Sequence, residues 1–155
     1  SNYNIVKDNI LQVVDHPKVI KIAGACTFQI YNIFSMEEIF NRFTEELNID
    51  IHTHRVNYPT FLDMRVIPNH IRENLTNRLI KYRETIDLKD HINWTEDRKQ
   101  NAKKHAMDNI NALKGGDLSK NLKQFIEFSD ILDVKQKVPK TWREIIPELG
   151  EIYVT

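Results

Sequence analysis

The chain has 155 residues, with 22 Lys and Arg against 22 Asp and Glu, so no whole-chain charge draws it to nucleic acid or an anionic membrane. That length suits one domain, or one with a small appendage, and four glycines and five prolines argue against disorder and an all-β fold. The single cysteine, Cys26, excludes an internal disulfide and a cysteine-rich zinc or iron–sulfur site of the chain's own.

The start, SNYNIVKDNI, lacks the charged and apolar regions of a signal peptide. No run reaches the roughly 18 apolar residues of a membrane span, so a cytoplasmic protein without a membrane partner is expected. Asn74 and Asn93 head glycosylation sequons, which carry no weight without a secretory signal.

Residues 4–15 place Ile5, Val6, Ile10, Val13 and Val14 on one helical face, and Pro17 stops that helix. Residues 18–31 are β-branched and aromatic around Ala23, Gly24 and Ala25. Both alternating faces are apolar or small, which predicts a strand buried on two sides. Ser35 and Glu38 form a capping-box pattern that opens a helix with Met36, Ile39, Phe40, Phe43 and Leu47 inward. A second strand is expected over residues 49–57. Strand, crossover helix and strand at this length make a right-handed βαβ unit. Alternation sets Ile49, Ile51, Thr53, Arg55 and Asn57 on one face of that strand, and His52, His54 and Tyr58 on the other. Its polar C-terminal half is unusual for a buried strand, and ligand sites in parallel sheets lie beyond strand C-termini.

From Pro68 onward the pattern is helical alone. Ile71, Leu75, Leu79, Tyr82 and Ile86 step by three and four, and a polar helix follows over 93–113 with Asn93 as its N-cap. Gly115 and Gly116 end it. Asp117 caps the next helix, with Leu118, Leu122, Phe125, Ile126 and Leu132 as its stripe. Thr141 and Glu144 repeat the capping box before a short helix that Pro147 limits. The expected fold is therefore α/β: a partial parallel βαβ unit over residues 1–67, then an all-helical extension over 68–155. Two strands leave exposed edges and faces, so the sheet needs strands from a partner or from a longer parallel sheet.

Candidate chemistry is sparse. His52 and His54 share a strand face with Asp50, but no third ligand stands at a diagnostic spacing, so no metal is assigned; a small His-based metal hydrolase is the outlying reading. Cys26 lies among apolar neighbours, the setting of an inert thiol. Asn32, where the first strand ends, reads as a turn residue or a ligand contact. Lys99, Lys103 and Lys104 are diluted by Glu96, Asp97 and Asp108 and read as a solvated face, so nucleic acid is not an expected partner. Trp94 and Trp142 stand at helix starts, where aromatic staples are ordinary.

Four stretches in order carry a resemblance: the strand ending Tyr31-Asn32-Ile33, the helix SMEEIFNRF, the strand leading to Val56-Asn57-Tyr58-Pro59, and Phe61 to Pro68. Together they resemble the last strands of the radical S-adenosylmethionine (radical SAM) barrel, a TIM-like fold, and specifically the twitch-domain-containing proteins of phage and bacterial genomes. The tail, from Phe125 through Asp133 to Trp142 and Pro147-Glu148-Leu149, is similar to that family's closing pattern.

The resemblance implies a parent enzyme with S-adenosylmethionine and a 4Fe–4S cluster, held by a Cys-x-x-x-Cys-x-x-Cys loop that this sequence lacks. It further implies that this chain is the C-terminal part of that enzyme, completed by a missing N-terminal barrel half or partner chain and not competent alone. The substrate stays open between a peptide and a small molecule. By position, Asn32 and Asn57 would face the cofactor, and Arg55 and Tyr58 the substrate, with an arginine suited to a carboxylate. The rival expectation is a stand-alone interaction module that pairs through its exposed strand edges.

Overall fold

Two short strands form, β1 (Ala23–Phe28) from small and apolar residues and β2 (Asp50–Arg55) from polar residues around Ile51 and Thr53, paired in parallel from Ala23 opposite Asp50 to Phe28 opposite Arg55. The computed structural model describes residues 3–136 and 139–152. Between the strands lie a 3-10 turn (Ile33–Ser35), helix α2 (Met36–Asn41) and one π-helical turn (Arg42–Glu46). The expected parallel βαβ unit is present, with both strands shorter than their sequence patterns. Asn48, at φ 53°, turns the chain out of the π turn into β2.

Only one face of the sheet is covered. Gly24, Cys26 and Phe28 face α2: the Phe28 and Phe40 rings lie 6.2 Å apart, and Phe43 sits over Gly24. A Cβ at Gly24 would lie 2.0 Å from a Phe43 ring carbon, so this close approach requires glycine. Ala23, Ala25 and Thr27, on the opposite face, are exposed. The two-sided burial expected of the first strand is thus corrected: its small side chains leave the second face bare because nothing among the described residues packs there.

The predicted Ser35 cap is also absent. Its side chain makes no capping bond, because a 3-10 turn already precedes α2 and the Met36 N–H donates to Ile33 O within it. Helix α1 (Tyr3–Val14) forms as its periodicity predicts, yet none of its residues is buried. It is held by polar contacts: the Tyr3 hydroxyl donates to Glu46 Oε2 at 3.1 Å, Lys7 Nζ lies 3.2 Å from the same oxygen, and the Arg42 guanidinium stacks over the Tyr3 ring. Ile5, Val6 and Val13 remain exposed.

The helical extension follows the expected order. Helix α3 (Asn69–Thr85) buries Ile71, Leu75, Leu79 and Tyr82. Helix α4 (Glu96–Leu113) is capped by Thr95, whose hydroxyl accepts from the Arg98 N–H, and not by Asn93. The Asn93 amide instead donates to Glu45 O. The Asp117 carboxylate accepts from the Ser119 N–H at 2.9 Å and fixes the turn before α5 (Leu122–Gln136). Helix α6 (Trp142–Ile145) carries the predicted Thr141–Glu144 capping box, and α7 (Pro147–Gly150) begins at Pro147.

One hydrophobic core runs from Phe28, Phe40 and Ile51 through Leu79 and Ile110 to Phe125, Trp142 and Leu149, with α1 outside it. Residues 1–67 and 68–155 therefore differ in architecture but share this core. Contacts of Tyr31 with Phe125 and of Phe61 with Phe128, at 5.1 and 4.9 Å between ring centres, set α5 at the C-terminal end of the sheet.

Candidate functional site

The segments that follow the strands bring two of the four expected site residues together. Arg55, the last residue of β2, donates from Nε to Asn57 Oδ1 at 2.8 Å. Both line a cleft of about 230 Å³ with Thr53, His54, Asp108 and Asn109. Because its Nε meets a neutral amide, the guanidinium has further N–H donors for an anion. Tyr58, at 88% exposure, projects into solvent and does not line the cleft.

Asn32 stands apart from them. Its Oδ1 accepts from the Gln29 N–H at 2.9 Å and its Nδ2 donates to Thr27 O at 3.0 Å, so the amide closes the turn at the end of β1. Of the two roles open in the sequence, this geometry is the turn.

The two edges of the sheet differ. Asp50 of β2 and Val56 just after it donate to the carbonyls of Ile22, just before β1, and Phe28, so even-numbered residues of β1 bond inward. Odd-numbered residues of β1, Ala23, Ala25 and Thr27, therefore point their backbone groups away from β2. No other strand pairs there among the described residues, and only the Thr27 carbonyl is met, by Asn32.

A polar stripe of α4 packs along the outer edge of β2. Arg98 donates to Asn48 O and Asn48 Oδ1 at 2.9 and 2.6 Å and to Asp50 Oδ1 at 2.9 Å. Asn101 Nδ2 donates to Ile51 O at 2.7 Å. His105 Nδ1 lies 3.1 Å from Thr53 Oγ1, to which Asn109 Nδ2 also donates at 3.2 Å. These four residues fall at i, i+3, i+7 and i+11 of one helix face. Sequence reasoning missed them, although polar residues at the spacing of a core stripe were the available signal.

Electrostatics separate the remaining candidates. Burial pushes the Cys26 thiol above its ordinary pKa, which leaves it protonated and unreactive at neutral pH. Burial, then the neighbouring His52, lowers the pKa of His105. Burial alone would raise the Asp50 carboxyl, but hydrogen bonds from Lys21 and Arg98 outweigh it and hold the pKa low. Lys99 and Lys103 both clamp Asp87, through its carbonyl and carboxylate respectively, so they brace α4 in addition to being solvated.

Among the described residues, no group of three or more His, Cys, Asp or Glu is arranged to hold a metal ion, and no helix is long and apolar enough to cross a membrane. The chain does not fit an iron–sulfur cluster, since its one thiol lies half-buried in mid-strand. Searches of protein families, curated proteins and solved structures returned no match to the chain.

Proposed function

We propose that this chain is the closing section of a larger parallel βα enzyme, supplying a helix-covered sheet edge and the strand-end residues Arg55 and Asn57 that face a ligand. The observation that carries this reading is the contrast between the edges. Helix α4 packs along β2 and its Asn101 meets the Ile51 carbonyl, whereas β1 has no element along its outer edge among the described residues and lies beside an α1 whose Ile5, Val6 and Val13 are uncovered. A further parallel strand with its crossover helix would satisfy both needs at once, because a right-handed βαβ connection lays each helix over its neighbouring strand.

The radical SAM barrel is the particular form we favour, on the order of the motifs around Asn32, Tyr58-Pro59 and Pro147-Glu148-Leu149. In that form S-adenosylmethionine and the 4Fe–4S cluster belong to the parent enzyme, the cluster held by cysteines outside this chain. This chain's own contribution is an Arg55 guanidinium held by Asn57 at the mouth of β2, oriented to accept an anionic group.

The test is to sequence the source DNA upstream of the Ser1 codon. An open frame continuing into several βα units with a Cys-x-x-x-Cys-x-x-Cys loop is expected. A stop codon directly upstream overturns the reading. The second reading, an interaction module pairing through β1, is favoured by the single core that joins the sheet to the helical extension, which suits independent folding. That reading expects the isolated chain to unfold cooperatively.

A further inference from the structure

We propose that His52 and His105 form a two-imidazole site for a borderline divalent cation, Zn²⁺ or Cu²⁺, which ties α4 to the edge of β2. This inference does not rest on the function proposed above. The two rings belong to different elements, with centres 5.5 Å apart and planes at 84°. Two imidazoles bound to one cation through bonds of about 2 Å hold their ring centres at about that separation.

His105 is also prepared as a ligand. Its Nδ1 lies 3.1 Å from Thr53 Oγ1, and in the tautomer whose Nδ1–H donates to that hydroxyl oxygen the Nε2 lone pair is left to coordinate. Thr53 is itself held by Asn109 Nδ2, and the same amide donates to the His105 carbonyl at 2.8 Å. Asn109 is buried, so this arrangement is fixed. An imidazole whose second nitrogen is fixed by a hydrogen bond, itself supported by a further group, is the usual setting of a metal-ligating histidine. His52 is exposed on the bare face of the sheet, so a cation can reach the pair from solvent. His54 and Asp108 stand further along the same strip without completing a three-residue group, so water fills the remaining positions. Nitrogen ligands of this type favour Cu²⁺ over Zn²⁺.

The experiment titrates the chelator-treated chain with zinc chloride and with copper sulfate, followed by calorimetry and by thermal unfolding. One equivalent of cation is expected to bind and to raise the Tm, because a ligand held only by the folded state stabilises it. His52→Gln and His105→Gln should each weaken binding by about tenfold or more, and Thr53→Val by about tenfold through loss of the bond that fixes the ring. His91→Gln, on the surface elsewhere, should leave cation binding unchanged. Exposure of His52 keeps its variant folded, so loss of binding there is not loss of fold. The proposal is overturned if no cation binds, if His52→Gln and His105→Gln bind as the natural chain does, or if His91→Gln costs as much.

Discussion

The carboxylate of Asp63 has no solvent exposure, and Arg65 is what makes that tolerable. Its Nε and Nη2 donate to the two carboxylate oxygens at 3.0 and 2.8 Å, and its backbone N–H adds a third bond at 2.9 Å. Arg65→Gln leaves a buried anion with one backbone partner, so urea denaturation should show a loss of about 3 kcal/mol. Asp130 gives a pH test of opposite character, since it is partly exposed. The Arg143 guanidinium, 2.5 Å away, holds its carboxyl below the usual carboxylate range against a small burial effect, with the Trp142 N–H assisting. A lowered folded pKa means that the contribution is present above the unfolded value and lost as pH falls through the folded one. The stability gap between the natural chain and Asp130→Asn should therefore be clear at about pH 7 and smaller at about pH 3. Solvent screening keeps that gap small even where it is largest.

At the scale of elements, Gly24 decides how closely α2 can lie on the sheet. Phe43 occupies the space that a Cβ would need, so Gly24→Ala must displace the ring or the strand. Overpacking of this kind costs about 1–3 kcal/mol, measurable as a lower denaturation midpoint. The βαβ unit itself was legible in the sequence, because alternating apolar residues flank a helix whose inward positions Met36 and Phe40 recur at helical spacing. The stripe Arg98, Asn101, His105 and Asn109 was not legible. A polar helix face looks the same in sequence whether it meets water or the unpaired backbone of a strand, and only the tertiary position of β2 separates the two. Asn32 was ambiguous for a related reason: a turn-closing amide and a ligand-binding amide are the same residue at the same strand end. The pairing of Arg55 with Asn57 could be anticipated from alternation, which puts both on one face. Tyr58, on the opposite face by alternation, projects into solvent and not into the cleft.

The whole molecule is asymmetric across its sheet, and that asymmetry predicts how it behaves in solution. Ala25 and Thr27 direct their N–H groups away from β2, whereas the flanking Cys26 N–H lies in the paired direction. Hydrogen exchange should then alternate along β1, fast at Ala25 and Thr27 and slow at Cys26. Uniform protection along β1 would mean that another chain already pairs with it. An open edge beside the uncovered α1 also predicts association that grows with protein concentration in light scattering. Ala25→Pro tests that directly. Proline on an edge strand removes a donor that points away from the sheet, so the fold should survive with its circular dichroism unchanged. The same substitution takes away the N–H that any added strand must use, so the variant should stay monomeric where the natural chain associates. If Ala25→Pro associates equally, the contact lies on α1 and not on the strand. Ile5→Lys, which charges that helix face, would then be the substitution that disperses it.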